Sequence, residues 1–326
     1  MTEFKLTDLE GIGPAKAKNL EKDGIKTPLD FVLRGAKEVS RITDISIDTA
    51  LKLVHQVKEL LESEGKIKKI DSIKSLREVR HEQIKYKVNV PELDEMTAGG
   101  FETQSTYEVY GPEGAGKTQL MLSLIAEANK LNHGVWVIDC EGTLKLDRLE
   151  QICEARGVKL DESLIQYNLL TDSEDVLYEL NENAIQKVQD NNVKIIFIDG
   201  LVGLMRNMYH GRGELADRQD TIEKILLKLK NISIFMNVCV ILTNQVMSNP
   251  DPFGAKEKPI GGHVLGHNVK YIYAISKGLK NNRVMKLVKS PSEAQGEYQF
   301  FLNEEGVSQY ENLKKKKDEP VKLKVF

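Results

Sequence analysis

The chain has 326 residues, a formal net charge of −3 and 29% charged residues, which allows one to three domains and a large core but excludes a protein that is basic throughout. Any nucleic-acid surface must therefore be local. No apolar run reaches the ~18 residues of a membrane span, the N-terminus lacks a signal-peptide apolar segment, and three scattered cysteines, Cys140, Cys153 and Cys239, suit reduced thiols in a cytoplasmic protein.

Residues 1–64 read as a small all-helical domain. Gly11-Ile12-Gly13-Pro14 forms a glycine turn, and Pro14 is suited to open the helix that follows. The pattern resembles a helix-hairpin-helix DNA-binding unit. In such a unit the turn of Gly11 and Gly13 offers backbone N–H groups to a phosphate, with Lys16 adding charge, and reads no sequence. A further helical pair is expected at about Leu29 to Leu33 and Ile47 to Leu61, the latter apolar at Ala50, Leu51, Val54, Val57, Leu60 and Leu61. A bundle that only packs against protein is the other reading of this domain.

Residues 65–92 form a charge-dense linker punctuated by Ile67, Ile70 and Ile73. It reads either as a solvated connector or as a segment that adds a strand to another subunit.

Residues 93–310 alternate apolar β-type runs with helical stretches. The runs are Tyr107 to Tyr110, Val135 to Asp139, Lys194 to Asp199 and Asn237 to Gln245. That alternation predicts a largely parallel, doubly wound sheet with ligand chemistry at the carboxyl ends of its strands. Between the first run and the helix beginning near Gln119 lies Gly111-Pro112-Glu113-Gly114-Ala115-Gly116-Lys117-Thr118, which fits G-x-x-x-x-G-K-[ST]. The backbone of such a loop cradles phosphate oxygens, Lys117 reaches the β- and γ-phosphates, and Thr118 offers a hydroxyl to Mg²⁺. The expected cofactors are ATP and Mg²⁺.

Three strand ends supply the remaining chemistry. Asp199 follows four apolar residues and is placed to hold Mg²⁺ or its water. Glu141 is the candidate to polarise the attacking water, and Gln245 the candidate to sense the γ-phosphate. The loop from Met205 to Gln219 carries Arg206, Arg212 and Arg218, a density that suits a phosphate backbone. The segment Met247 to Gly262 holds three prolines and three glycines and is read as irregular. Residues 311–326, with Lys314 to Lys317, are read as a basic flexible tail.

Taken together, these stretches resemble the archaeal RadA recombinases of the RecA family. The matching residues are Gly111 to Gln119, Ile138 to Thr143, Gly211 to Gln219, Thr243 to Met247 and Gly261 to His263. The resemblance implies a RecA-like P-loop ATPase core behind a helix-hairpin-helix domain. It implies a homo-oligomer, a helical filament or ring, with ATP between subunits, acting on single-stranded and double-stranded DNA in pairing and strand exchange. It also implies that Arg206, Arg212 and Arg218 lie in a first DNA-binding loop, residues 247–260 in a second, and that Arg148 stacks on adenine. Recombination mediators join the candidate partners; a membrane does not.

The chain also departs from the family pattern. No Phe occurs between Glu64 and Gly100, where the family carries a Phe-x-x-Ala segment that plugs into a neighbour; Ile70 or Ile73 is the nearest substitute. Lys289 stands where the family has an aspartate that helps bind a monovalent cation beside the γ-phosphate; it reads either as an ammonium that meets the phosphate in place of that ion or as a solvent-facing residue after the expected strand Arg283 to Val288. Two other readings remain beside a strand-exchange ATPase. One is a paralogue that binds DNA and ATP as a mediator; the other is a RecA-fold ring ATPase or helicase.

Overall fold

The computed structural model describes residues 5–201, 203, 215–248, 257–260 and 262–312. The chain divides into two compact units: Met1–Gln83 with Leu177–Gln186, and Ile84–Val176 with Lys187–Phe326.

The first unit holds helices α1 (Pro14–Lys22), α2 (Pro28–Thr43), α3 (Ile47–Ser63) and α4 (Ile73–His81). Pro14 opens α1 behind Gly13, as its locked φ and missing N–H favour. Thr27 and Asp30 cap α2 reciprocally: the Asp30 N–H donates to Thr27 Oγ1 at 3.2 Å, and the Thr27 N–H donates to Asp30 Oδ2 at 2.9 Å. The helix expected at Leu29 to Leu33 is the first half of α2, which runs on past a break at Gly35. Ala50, Leu53, Val57 and Leu61 form the buried stripe of α3, while Leu51 faces solvent. That i, i+3, i+7, i+11 spacing is one helical face, and each side chain buried on it is worth roughly 1.5–3 kcal/mol for the larger residues. In the linker Ile67 is buried, Ile70 is 48% exposed, and Ile73 is 74% exposed at the start of α4.

The second unit begins with a two-stranded sheet of β1 (Lys85–Tyr86) and β2 (Phe101–Glu102), with α5 (Pro91–Met96) between them. The main elements then follow in chain order. They are β3 (Ser105–Tyr110), α6 (Lys117–Lys130), β4 (Gly134–Asp139), α7 (Leu146–Ala155), β5 (Ile165–Leu169), then α8 (Ser173–Glu182) and α9 (Ala184–Asp190), of which Leu177–Gln186 belongs to the first unit, and β6 (Val193–Asp199). After these come α10 (Leu215–Phe235), β7 (Cys239–Asn244), β8 (Val246–Ser248), β9 (Glu257–Pro259), α11 (Gly262–Asn268), β10 (Tyr271–Lys277), β11 (Asn282–Lys289), β12 (Glu297–Asn303) and β13 (Gly306–Ser308). Nine strands form one sheet in the order β13-β12-β11-β10-β3-β7-β6-β4-β5.

The six strands from β10 to β5 pair in parallel, and β11, β12 and β13 add antiparallel ladders. The sheet is thus mixed, its antiparallel edge arising where short turns replace helical crossovers. β4 and β7 are buried at every residue, which explains their continuous apolar runs, since helices cover both faces. Trp136 of β4 is fully buried; its Nε1 donates to Asn168 Oδ1 at 2.9 Å, and Lys187 Nζ lies 5.0 Å from its ring centre.

Two loop readings need correction. Leu215 to Gln219, read as loop, begin α10. The segment from Met247 onward is not irregular throughout: β8 and β9 form an antiparallel hairpin, pairing Val246 with Pro259 and Ser248 with Glu257, and α11 starts at Gly262. Pro259 is tolerated because it ends a strand that lies at an edge. Among the described residues no helix is long and apolar enough to cross a membrane, and all three cysteines are free and buried.

Candidate nucleotide and hydrolysis site

Strand register assembles the site. Asp139 pairs with Asp199, Asp199 with Thr243, and Tyr110 with Asn244. The carboxyl ends of β3, β7, β6 and β4 therefore finish level, and the residues just beyond them share one crevice.

The phosphate loop leaves β3 and enters α6. Gly111 leaves no room for a side chain, because a Cβ would stand 2.2 Å from the Ile275 carbonyl oxygen. Gly116 has φ +111, in the region that favours glycine. Lys117 Nζ donates to the carbonyls of Gly111 at 2.8 Å and Pro112 at 3.1 Å, curled over the loop. Burial pulls its pKa down, against the pull of Asp199 and Glu141.

Thr118 Oγ1 donates to Asp199 Oδ2 at 3.3 Å, and Thr143 Oγ1 donates to the same oxygen at 2.8 Å. Thr243 Oγ1 donates to Asp199 Oδ1, and the Gly200 N–H donates to Thr243 Oγ1 at 3.1 Å. A buried carboxylate next to a threonine hydroxyl is a hard oxygen donor set, and it fits Mg²⁺. Among the described residues no cluster of three acidic, His or Cys side chains could hold a metal alone. Two protein oxygens suit Mg²⁺, which completes its shell with phosphate oxygens and water.

Glu141 and Gln245 meet: Gln245 Nε2 donates to Glu141 Oε1 at 2.9 Å. Part of Glu141 reaches solvent, yet surrounding protein first and the Asp199 carboxylate second raise its pKa above the ordinary carboxylate value. Arg148 Nε donates to Gln119 Oε1 at 2.8 Å, and its guanidinium also donates to the Asn303 carbonyl. It thus stands beside the start of α6, next to the phosphate loop.

Some candidates lie elsewhere. The Lys289 ammonium donates to the carbonyls of Gly266 and Val269, 2.7 Å each, so within one chain it is occupied by the end of α11. Gly11, Gly13 and Lys16 belong to the first unit; among the described residues nothing lies within 4 Å of a Cβ built on either glycine. Arg206 and Arg212 lie outside the described residues. Arg218 is in α10 and its side chain lies outside them as well.

Sequence reasoning missed Asp139. Its Oδ1 accepts from the N–H groups of Glu141 at 3.1 Å, Gly142 at 2.8 Å and Thr143 at 3.3 Å. Its Oδ2 accepts from Leu144 N at 3.0 Å and Tyr167 Oη at 3.2 Å. One fully buried carboxylate thus folds the turn that carries Glu141. An aspartate ending an apolar run, two residues before the candidate base, was the available signal. Lys277 and Arg283 were missed too. A Cβ on Gly114 would lie 3.2 Å from Lys277 Nζ, and Arg283 Nη2 donates to the Gly114 carbonyl at 3.3 Å. Both cations thus flank the phosphate loop.

Comparison with known proteins supplies the family. The Rad51 family model matches residues 53–310, and the model of a SAM-like helix-hairpin-helix tandem matches residues 4–59. The DNA repair and recombination protein RadA of Cenarchaeum symbiosum (strain A) is 36% identical over 330 residues, covering 98% of this chain and 82% of that protein. RadA of Halobacterium salinarum (strain ATCC 29341 / DSM 671 / R1) is 31% identical, covering 94% of this chain and 99% of that protein. RadA of Methanococcus voltae is 32% identical, covering 93% and 98%. A Rad51 match over most of the core, joined to a helix-hairpin-helix domain and to RadA relatives along nearly the whole chain, places this protein in the Rad51/RadA family of recombinases.

Proposed function

We propose that this chain is a DNA-dependent ATPase that assembles on single-stranded DNA and catalyses homologous pairing and strand exchange with double-stranded DNA. The observation that carries the reading is the contact between Glu141 and Gln245, because the hairpin β8–β9 begins at the very next residue. A hydrolytic base, a phosphate sensor and a candidate DNA loop are thereby adjacent. Lys117 exchanges its loop carbonyls for phosphate oxygens, and Glu141 accepts the proton of the attacking water. Thr118 and Asp199 would hold Mg²⁺, which when bound would supply positive charge to the phosphates. Gln245 loses or gains its bond to Glu141 with the state of the γ-phosphate, and so reports it to the hairpin.

A strand-exchange reaction with purified protein, ATP, Mg²⁺ and homologous DNA tests the whole reading. DNA and ATP binding without exchange would favour the mediator; closed rings that unwind forks would favour the helicase. The first DNA loop is tested by Arg212→Ala. Losing one phosphate contact should lower the salt slope of single-strand binding by roughly 0.7. An unchanged affinity and slope would remove that loop from the DNA site.

Assembly into a filament is part of this proposal. Strand β5 ends the sheet, and among the described residues no strand pairs with its outer edge, which is where an added strand would extend the sheet. Ile70 and Ile73 are the exposed apolar side chains of the linker. Burying each against a neighbour is worth roughly 1.5–3 kcal/mol. Ile70→Ala with Ile73→Ala should therefore raise the protein concentration at which light scattering detects filaments. Identical assembly curves would refute this role.

A further inference from the structure

Asn244 occupies a junction that the hydrolytic site does not use. Its backbone carbonyl accepts from the N–H of Gly111, the first glycine of the phosphate loop, at 3.2 Å. Its buried amide Nδ2 donates twice, to Glu108 Oε1 of β3 and to the carbonyl of Ile260, 2.7 Å each. Ile260 follows β9, and its N–H donates to the Gln245 carbonyl at 3.0 Å. One residue therefore touches the phosphate loop, the strand that feeds it, and the closing end of the hairpin β8–β9.

The energetics argue for a role beyond stability. Asn244 is 1% exposed, and among the described residues its Oδ1 has no hydrogen-bond partner. The unpaired acceptor is a cost set against the two buried acceptors that the amide nitrogen satisfies, so the position gives up stability in return for one fixed arrangement of Glu108 and Ile260. Glu108 is likewise 1% exposed in the middle of the sheet. Its carboxyl supplies the acceptor that turns the Asn244 amide towards Ile260. Lys289 acts on Glu108 through its charge and holds the end of α11 through Gly266 and Val269. The segment after the hairpin is thus pinned at both ends, with Glu108 at the centre.

We infer that Asn244, oriented by Glu108, is a positioning residue that clamps the foot of the hairpin β8–β9 to the phosphate-loop strand and so transmits the nucleotide state to the hairpin. The inference rests on the reading of residues 247–260 as a DNA-contacting segment. A buried amide that donates twice fixes the position of Ile260 relative to Gly111. Removing it leaves the hairpin attached to the sensor by backbone alone.

The test compares wild type with Asn244→Ala, Glu108→Met and Glu108→Gln. A fluorescent ATP analogue measures nucleotide affinity, turnover is measured with and without saturating oligothymidine, and hydrogen exchange is followed at the amides of residues 246–248 and 257–260. Glu108→Met keeps volume and removes the acceptor; Glu108→Gln keeps the acceptor. Nucleotide affinity should stay within about twofold in all variants, while stimulation by DNA drops roughly tenfold in Asn244→Ala and Glu108→Met, within the range by which residues between two sites alter their coupling. Glu108→Gln should restore stimulation, a rescue that a merely structural role would not give. Hairpin amides should exchange faster in the first two variants. Should Asn244→Ala fail to fold, Glu108→Met reads the same clamp. Variants stimulated like wild type, or with unaltered hairpin exchange, would overturn the inference. A wild type that DNA does not stimulate would instead sink the DNA-loop reading, and the exchange measurement would still decide the clamp.

Discussion

Glu141→Gln should hold the protein in its ATP-bound state. The substitution preserves shape and an acceptor for the Gln245 amide, so the 2.9 Å contact can persist. It removes the only function a carboxylate adds there, the ability to take a proton. Turnover should fall by roughly 10²-fold or more, the usual scale for loss of a general base. ATP-dependent binding to single-stranded DNA should persist, and dissociation after ATP dilution should slow. The pH profile of wild type provides a second check with a definite sign. A general base must be ionised to act, and the pKa of Glu141, the proposed base, is raised by burial and by Asp199. Activity should therefore decline, as pH falls, at a higher pH than an ordinary carboxylate near 4.3 would give. Near-normal turnover in the variant would mean that another group positions the water.

The position of Glu141 depends on Asp139 more than on Glu141 itself. Five donors converge on the Asp139 carboxylate, four of them backbone N–H groups of the turn after β4 and the fifth the Tyr167 hydroxyl. Charge-assisted bonds of this kind are the stronger ones, and here they fix a turn rather than bind a ligand. The adjacent strand ends use threonines for the same purpose, Thr143 and Thr243 both donating to Asp199. The proposed hydrolytic groups are therefore held by Asp139, Thr143 and Thr243.

Much of this was legible in the sequence, and for identifiable reasons. The glycine loop, the strand before it and the helix after it are local features, so spacing alone revealed them. Asp199 and Gln245 were legible because each ends an apolar run and Glu141 because it lies two residues beyond one, and neighbouring strands buried on both faces end together at the carboxyl side of the sheet. Asp139 and Asn244 were not recognised because their partners are distant or are backbone atoms, which spacing does not encode. The hairpin β8–β9 was hidden by its prolines and glycines, which report turns but not the pairing of the residues that flank them. The strand expected at Arg283 to Val288 is β11, but its antiparallel pairing and the strands β12 and β13 beside it were missed because alternation of strands and helices was extended past the point where helices stop. The role of Lys289 came from position in a family pattern, whereas its carbonyl partners Gly266 and Val269 depend on where α11 ends.

Glu108→Gln should stabilise the second unit at alkaline pH and have little effect in acid. Glu108 is buried in β3, and desolvation raises its pKa from 4.5 to about 7, against the opposing effects of the Asn244 hydrogen bond and Lys289. The folded state therefore holds this proton more tightly than the unfolded chain. Below pH 4.5 both states are protonated, and the group contributes nothing to the pH dependence. Between 4.5 and about 7 the unfolded chain ionises first, so stability falls as pH rises. Above that window the whole difference is lost, about 3 kcal/mol at 1.36 kcal/mol per pH unit. Glutamine cannot ionise, yet its oxygen still accepts from Asn244, so the variant escapes the loss and keeps the bond. Trp136, the single tryptophan of the chain, is fully buried in β4 and reports unfolding of this unit by its fluorescence. Urea titrations should show the variant's midpoint well above wild type at pH 8, with the gap closing towards pH 5. A gap of the same size at both pH values would mean that Glu108 is ionised in the folded protein throughout, held by Lys289 rather than neutralised by burial.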